Sequence, residues 1–289
     1  MSRFEYHEPE SLADAVALAG RFGAEGSFLA GGTDLIVHIE RGRAAPRHVI
    51  GLGRVPGLGD IETNGQIQLG ARVTHRSIER SPVFAGALRC LVEGAEVIGG
   101  HQVRNVGTVG GNLANASPAA DLAPCLLAVD GVVTLVGAGG ERTLPLERFL
   151  LGPNRTARRA DELLTRVSVP SPPPNAATSF LKAGRRRAME ISVTCVAARL
   201  TLDDARERCL EARVALGAVA PTAIRVPAAE RALEGQTIGA DVFRRAAEAA
   251  QAASSPIDDV RASAAFRRHL VGVLVRRALE RCVARVRAA

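Results

Sequence analysis

Two glycine-rich segments constrain the fold of this chain more than any other feature of its sequence. The first glycine segment is residues 29–36, LAGGTDLI, and the second glycine segment is residues 107–121, GTVGGNLANASPAAD. Glycine lets the backbone take positive φ and lets a ligand approach bare N–H groups. Successive N–H groups that curl into a concavity bind anions. Together the two segments predict a site that holds one pyrophosphate between them.

Neither segment fits the two common phosphate-binding patterns. The chain has no G-x-G-x-x-G after a leading strand and no G-x-x-x-x-G-K-[ST], so a Rossmann domain and a P-loop both lack their fingerprint. For either glycine pair alone, a tight turn is the simpler explanation, because the chain contains 29 glycines. Only the combination of the two segments, in each of which small polar residues follow the glycine pair, indicates a ligand site.

Length and composition favour a soluble protein of two or three compact units. The chain has 289 residues, of which 47% are hydrophobic and 23% charged. No apolar stretch reaches the roughly 18 residues that a membrane span needs. The opening residues lack the apolar core of a signal peptide. These features predict a cytoplasmic protein without a membrane span.

The net charge of +7 raises the alternative of an arginine-rich nucleic-acid-binding protein. Only 3% of the residues are aromatic, whereas a single-strand binder needs aromatic stacking platforms beside its basic groove. The run Arg185, Arg186 and Arg187 is better explained as solvated surface or a partner contact. The basic excess therefore favours an acidic partner or a phosphorylated ligand, and no nucleic acid is expected.

The cysteines and histidines do not form a recognisable metal pattern. Five cysteines are widely spread with no C-x-x-C, a pattern that suggests neither a disulfide framework nor an iron–sulfur or zinc site. The six histidines include no H-E-x-x-H and no pair spaced i, i+4. We therefore predict no metal site in this chain.

No set of catalytic side chains emerges either. A hydrolase elbow of the form G-x-S-x-G is absent. Ser117 precedes Pro118 and is better explained as a loop residue than as a nucleophile. Asp121 follows a phosphate-binding segment, where a carboxylate more naturally accepts hydrogen bonds from a ligand. The chain is thus predicted to hold a large anionic cofactor that carries the chemistry, with no catalytic residue of its own.

A proline-rich stretch marks the clearest domain boundary. Residues 170–175 read PSPPPN, and clustered prolines disfavour helix and interior strand. We predict one domain over residues 1–170, with subdomains of about 1–57 and 58–170. A linker over residues 171–176 then leads to a C-terminal domain over residues 177–289.

Hydrophobic periodicity predicts the secondary structure on both sides of this linker. The first domain is predicted to have strands over residues 4–6, 27–30, 48–51, 132–136 and 163–169, a hairpin over 61–70, and helices over 12–22, 74–79, 85–98 and 121–130. Residues 102–116 are predicted as strand or irregular loop, because paired glycines and asparagines suit a winding backbone. After the linker, strands over 178–182, 192–202 and 211–218 precede helices over 228–233, 240–252 and 262–287.

Both glycine segments resemble those of the FAD-binding medium subunit of molybdenum hydroxylases. This group includes xanthine dehydrogenases, aerobic carbon monoxide dehydrogenases, and related aromatic or aldehyde hydroxylases. The resemblance extends to residues 4–12, FEYHEPESL, and to residues 180–182, FLK, which lead to Ile191. It covers nearly the full length of the chain.

The resemblance implies an α+β fold and FAD as the cofactor. A two-subdomain FAD-binding region of the vanillyl-alcohol oxidase or PCMH-like type would be followed by an α+β C-terminal domain with a small antiparallel sheet and helices. No cysteine-rich insertion is present, so the additional iron–sulfur cluster of some members is not expected.

The resemblance also implies which residues contact FAD. The first glycine segment would embrace the pyrophosphate and the neighbouring ribityl chain through Leu29, Ala30, Gly31, Gly32, Thr33, Asp34, Leu35 and Ile36. The second would supply backbone N–H groups and a hydroxyl through Thr108, Val109, Gly110, Gly111 and Asn112. Asp121 would be a polar contact, Ile98 and Leu164 would pack against FAD, and Lys182, the only lysine among the 37 cations, would contact the cofactor. Ile98 is aliphatic where some relatives place an aromatic ring.

By the same resemblance, the chain would be an electron-transfer subunit. Electrons would leave a molybdenum cofactor in a large subunit, cross 2Fe-2S clusters in a small subunit, and reach FAD here before passing to NAD, oxygen or a quinone. Substrate hydroxylation would take place on the large subunit, and the complex would be a dimer of heterotrimers. The alternative is a freestanding flavin-dependent oxidoreductase of the same fold, which would need its own acid or base.

Overall fold

The N-terminal part of the chain is a three-stranded parallel sheet with two helices. The computed structural model describes residues 3–186 and 188–289. Its first elements are β1 (Glu5–His7), α1 (Leu12–Phe22), β2 (Gly26–Leu29), α2 (Leu35–Glu40) and β3 (His48–Gly51). β3 lies between β1 and β2 and is parallel to both. Because β2 ends at Leu29, the first glycine segment begins where that strand leaves the sheet.

A five-stranded antiparallel sheet with a layer of short helices follows. Its strands run in the order β4-β5-β10-β6-β7. Strands and helices of this part are β4 (Ile61–Glu62), β5 (Gln66–Gly70), α3 (His75–Arg80), α4 (Arg89–Glu96), α5 (His101–Val106), α6 (Val109–Asn115), α7 (Leu122–Ala128), β6 (Val132–Gly137), β7 (Gly140–Pro145), α8 (Leu146–Phe149), β8 (Leu150–Gly152), β9 (Arg155–Thr156) and β10 (Leu163–Pro170).

The prediction of strand or irregular loop over residues 102–116 is wrong, because this stretch forms α5 and α6. Thr108 is the reason that α6 can begin among glycines. Its backbone is extended, and its side-chain oxygen accepts a hydrogen bond from the N–H of Gly111 at 3.1 Å. A threonine in this position satisfies one of the N–H groups that a helix start leaves without a partner. The glycines in this stretch therefore indicate close backbone packing, and the hydrogen bond to Thr108 is what allows the helix to begin.

The C-terminal part is a four-stranded antiparallel sheet covered by three helices. The strands run in the order β11-β12-β13-β14. The elements are β11 (Ala176–Ala183), β12 (Thr194–Leu202), β13 (Cys209–Gly217), β14 (Ile224–Arg225), α9 (Pro227–Leu233), α10 (Ala240–Ala253) and α11 (Ala264–Ala288). α11 packs on β11 and β12, and α10 packs on α11.

β12 is buried on both faces, which joins this part of the chain to the preceding one. Cys195 and Ala197 face the core that contains α4 and α7, whereas Val196 and Ala198 face the core that contains α10 and α11. Such alternation is what a strand between two layers requires. The four-stranded sheet is therefore fixed to the five-stranded part through a shared hydrophobic core.

Buried and half-buried ion pairs cross the same interface. Glu93 of α4 accepts hydrogen bonds from Arg285 of α11 and from the N–H of Phe180 in β11. Asp130, just after α7, is held by Arg199, Arg213 and Arg225. These arginines outweigh the effect of burial and lower the pKa of the Asp130 carboxyl. The two parts are thus held together by charge as well as by apolar contact.

β10 ends at Pro170 and β11 begins at Ala176. We propose that the predicted linker over residues 171–176 separates the two domains, 1–170 and 177–289, with subdomains of about 1–57 and 58–170. Arg187 of the predicted surface run lies outside the described residues. No helix in the described part of the chain is long and apolar enough to cross a membrane.

Candidate functional site

The two glycine segments meet directly in the folded chain. A Cβ built on Gly31 would lie 1.8 Å from the carbonyl oxygen of Val106, the residue before the second segment. No side chain tolerates that approach, so residue 31 must be glycine for the two backbones to touch. Gly32 has φ of +73°, a conformation that glycine adopts at little cost. Segments about seventy-five residues apart in sequence therefore form one wall of a single site.

The first glycine segment offers a row of free backbone donors. Within residues 3–186 and 188–289, the N–H groups from Gly31 to Leu35 find no protein acceptor. The next N–H group, that of Ile36, donates to the carbonyl of Gly32 at 3.1 Å and starts the hydrogen bonding of α2. Successive unpaired N–H groups of this kind bind anionic oxygens. The prediction of an anion-binding backbone thus fits this segment.

The second glycine segment differs from that expectation, because its N–H groups already have partners. Those of Val109 and Gly110 donate to the carbonyls of Val73 and Ala71 at 2.9 and 2.8 Å. Those of Gly111 and Asn112 donate to the side chain and the carbonyl of Thr108. The segment therefore contributes side chains and open space. One such side-chain atom is Oδ1 of Asn112, which is buried and has no partner among the described residues.

The two segments line a cavity of about 550 Å³. This volume lies within the range of small-molecule and cofactor sites. Fourteen of the predicted site residues line the cavity: Leu29, Ala30, Gly31, Gly32, Thr33, Asp34, Leu35, Ile98, Thr108, Gly110, Gly111, Asn112, Asp121 and Leu164. Three do not, namely Ile36, Val109 and Lys182. Val109 is fully buried in the core behind the second segment.

Arg158 is a cavity residue that sequence reasoning missed. Its guanidinium lies 5.8 Å from the ring centre of Phe28, and Nη1 donates to the carbonyls of Arg159 and Glu162 at 3.0 and 2.8 Å. Burial lowers the pKa of Arg158, but an arginine in a protein keeps its charge. Among the described residues, the hydrogen bonds of its guanidinium are all made by Nη1. Nothing distinguishes Arg158 from the many other arginines in the sequence.

His75 is a second cavity residue without a sequence signal. Only 3% of it is exposed, and its Nδ1 has no partner among the described residues. Burial, assisted by the nearby charge of Arg104, lowers the pKa of His75 to about 4. The ring is therefore neutral at pH 7 and can offer one nitrogen to a polar group in the cavity.

Lys182 does not line the cavity itself, but it forms hydrogen bonds to residues that do. Its Nζ donates to Oδ2 of Asp121 at 2.7 Å, to the carbonyl of Glu190 at 2.8 Å and to that of Val97 at 3.4 Å. An ammonium has three donors, so all of them are used within the protein. Asp121 also accepts from the hydroxyl of Ser192. Lys182 therefore ties α7 and the end of α4 to the loop that carries Glu190, which lines the cavity.

Asp121 is held in an environment that opposes its charge. Burial raises the pKa of the Asp121 carboxyl, while the ammonium of Lys182 and the hydroxyl of Ser192 counteract that rise. Both carboxylate oxygens already have donors. These two hydrogen bonds hold the carboxylate in place, so Asp121 helps to fix the cavity wall.

Comparison with known proteins identifies similar chains over the whole length. Residues 2–172 match the family model described as "FAD binding domain in molybdopterin dehydrogenase", and residues 179–282 match "CO dehydrogenase flavoprotein C-terminal domain". The carbon monoxide dehydrogenase medium chain of Hydrogenophaga pseudoflava is 32% identical over 284 residues, covering 98% of each chain. The nicotine 6-hydroxylase medium subunit of Paenarthrobacter nicotinovorans is 34% identical over 281 residues, covering 97% of each.

A solved structure shows the same likeness in three dimensions. The carbon monoxide dehydrogenase of Hydrogenophaga pseudoflava that lacks the Mo-pyranopterin moiety of its cofactor contains a chain that superposes with a TM-score of 0.94. The identity is 34%, and 98% of each chain is covered. The predicted α+β fold class, with an FAD-binding region before a C-terminal domain, is confirmed by this match and by the family models.

Proposed function

The chain belongs to the family of FAD-binding medium subunits of molybdenum hydroxylases, and from this premise we propose that it relays electrons between subunits. In this proposal, 2Fe-2S clusters of a small partner subunit deliver electrons to the chain, and an external acceptor, NAD, oxygen or a quinone, removes them. Substrate hydroxylation belongs to a large subunit with the molybdenum cofactor. The complex is proposed to be a dimer of heterotrimers.

FAD is the cofactor of this family, and the cavity has the groups to hold it. The assignment depends on the N–H groups from Gly31 to Leu35, which have no acceptor among the described residues and lie along a cavity of about 550 Å³. The unpartnered Nδ1 of His75 and Oδ1 of Asn112 are further polar atoms that a bound dinucleotide can satisfy. When bound, FAD supplies the electron-transfer chemistry, and the chain supplies binding and orientation.

Different residues are proposed to make different kinds of contact with FAD. We assign the pyrophosphate to the free N–H groups of the first segment, since these and the charge of Arg158 favour an anion. Ile98 and Leu164 provide apolar contact on the cavity wall. Gly111 leaves space where a side chain would enter the cavity. Lys182 is a positioning residue that fixes Asp121 and the loop carrying Glu190.

Replacing Arg158 with glutamine tests the cation in the cavity. We expect the dissociation constant for FAD to rise by about 10- to 100-fold, the usual effect of losing a hydrogen bond to a charged group. We also expect the affinity to become less dependent on ionic strength, because one attractive charge is lost. Titration of the FAD-free chain with FAD, followed by fluorescence, measures both effects.

The neighbouring Arg159 provides the matched control, since it is exposed and does not line the cavity. Arg159→Gln should bind FAD as the unmodified chain does. If both variants lost affinity equally, the loss would be explained by the change in net charge. That result would contradict the placement of Arg158 against the cofactor.

Electron transfer from the partner is tested directly. The FAD-loaded chain is mixed without oxygen with its small 2Fe-2S subunit, which has been chemically reduced beforehand. We expect the visible absorbance of the flavin to bleach, and the bleaching rate to rise with the concentration of the small subunit until the two proteins are saturated. A flavin that stays oxidised while the subunits bind each other would overturn the proposed relay.

A further inference from the structure

Glu5, His7 and His48 form a cluster of potential metal ligands on the N-terminal sheet. Nδ1 of His48 lies 3.2 Å from Nε2 of His7 and 3.2 Å from Oε2 of Glu5. The third side of this triangle, from Nε2 of His7 to Oε2 of Glu5, is 3.8 Å. None of the three residues lines the cavity between the glycine segments. We call them the His–Glu cluster.

The topology of the sheet brings these residues together. β1 and β3 are parallel, and their register pairs Glu5 with His48. Glu5 and His7 are two residues apart in a strand, so they point to the same face of the sheet. Local spacings in the sequence predict no metal site, since these ligands come from strands about forty residues apart.

The three facing atoms of the His–Glu cluster can all act as ligands for one ion. Nε2 of His7, Nδ1 of His48 and Oε2 of Glu5 converge on a single point. Each imidazole nitrogen presents a lone pair in one tautomer of the neutral ring, and the ionised carboxylate presents lone pairs on its oxygens. In that arrangement, a cation at this point contacts all three atoms at once.

The dimensions of the triangle match tetrahedral coordination. A point about 2.1 Å from all three atoms lies roughly 0.7 Å from their plane, and zinc bonds to imidazole nitrogen and carboxylate oxygen have about this length. In a regular tetrahedron, the metal lies about one third of a bond length from the plane of any three ligands, which is the same displacement. The ligand atoms therefore need little rearrangement to receive the ion.

Phe22 holds the two imidazoles in place. Its ring stacks on His48 with the centroids 3.8 Å apart and the planes 10° from parallel, and its centroid lies 4.7 Å from that of His7. An apolar wall of this kind orients metal ligands and limits access of water. On the other side, 73% of the Glu5 side chain is exposed, so the fourth position of an ion would face solvent.

We propose that Glu5, His7 and His48 bind a divalent transition-metal ion, with Zn²⁺ the best match, at a site separate from the FAD cavity. Two imidazoles and one carboxylate are ligands that suit zinc, and three protein ligands leave one coordination position for water. The ion cross-links β1 to the central strand β3 and so stabilises the sheet from which the first glycine segment emerges.

Zinc binding to the full-length, FAD-loaded chain tests this proposal. After chelator treatment and dialysis, calorimetric titration with Zn²⁺ near pH 7.5 should show about one ion per chain with micromolar or tighter affinity. Glu5→Gln should weaken binding by about tenfold or more, and His48→Gln should abolish it. Saturating zinc should raise the melting temperature of the unmodified chain and leave that of His48→Gln unchanged.

His269→Gln is the matched control, because His269 is an exposed histidine of α11. This variant should bind zinc as the unmodified chain does, and every variant should keep its FAD content. Glu5→Gln keeps the size of an exposed side chain, so it remains informative even if His48→Gln folds poorly. Absence of zinc uptake by the unmodified chain, or equal uptake by the Glu5→Gln variant, would overturn the proposal.

Discussion

Replacing Gly111 with valine is expected to leave the chain folded and deprive it of FAD. Apart from neighbouring helix backbone, the only heavy atom within 4 Å of a Cβ at this position is Oγ1 of Thr108, at 2.9 Å. The rest of a valine side chain would therefore enter the cavity. We expect the flavin content after desalting to fall by about tenfold or more, since bulk in the cavity removes both space and contacts for FAD.

The added Cβ would push the Thr108 side chain aside and weaken the cap of α6 by about 1 kcal/mol, which is too little to unfold the chain. Circular dichroism and thermal melting of the FAD-free proteins check this. Gly139→Val is the control, because Gly139 lies in an exposed turn with no atom within 4 Å of an added Cβ. A Gly111→Val protein with normal flavin content would contradict the placement of FAD against α6.

Replacing Lys182 with methionine is expected to destabilise the chain by about 3–5 kcal/mol, the usual cost of leaving a buried charge without its partner. Asp121 is buried, and it would lose the ammonium at 2.7 Å. The carbonyls of Val97 and Glu190 would lose a donor as well. Chemical denaturation of the FAD-free protein measures the change in the free energy of unfolding.

The pH dependence of this loss has a definite sign. Without Lys182, burial raises the pKa of Asp121 with no cation to oppose it, so the folded variant binds a proton more tightly than the unfolded chain. Lowering the pH from 8 towards 5 should therefore recover part of the lost stability. Adding Asp121→Asn to Lys182→Met should recover most of it at neutral pH, because the buried charge is removed. A loss that is independent of pH and unchanged in the double variant would contradict the ion-pair account.

The sequence was sufficient to predict the fold class and fourteen of the residues that line the cavity. Strong alternation predicts β12, and helical periodicity predicts α11, because each has a simple pattern of burial. The two glycine segments were informative together because close backbone approach, as at Gly31 and Val106, leaves glycine as the only acceptable residue. The predicted family resemblance and the FAD cofactor are confirmed by the matched family models.

The features of the site that the sequence did not predict depend on contacts with residues far away in the chain, which leave no local pattern. The N–H groups of Val109 and Gly110 were expected to face a ligand, yet β5 and its following turn provide acceptors for them. The contacts of Lys182 with Asp121 and two carbonyls have no local signal in the sequence either. Arg158 and His75 entered the cavity without any local pattern. In each case, the deciding contact comes from a distant part of the chain.

Amide hydrogen exchange, compared between the FAD-loaded and FAD-free chain, tests the central claim most directly. We predict that FAD slows exchange strongly at Gly31 to Leu35, whose N–H groups have no protein acceptor in the described part of the chain. Exchange at Val109 to Asn112 should change far less, because those groups already donate within the protein. Strong protection of Val109 to Asn112, with no change at Gly31 to Leu35, would contradict the assignment of the FAD pyrophosphate to the first glycine segment.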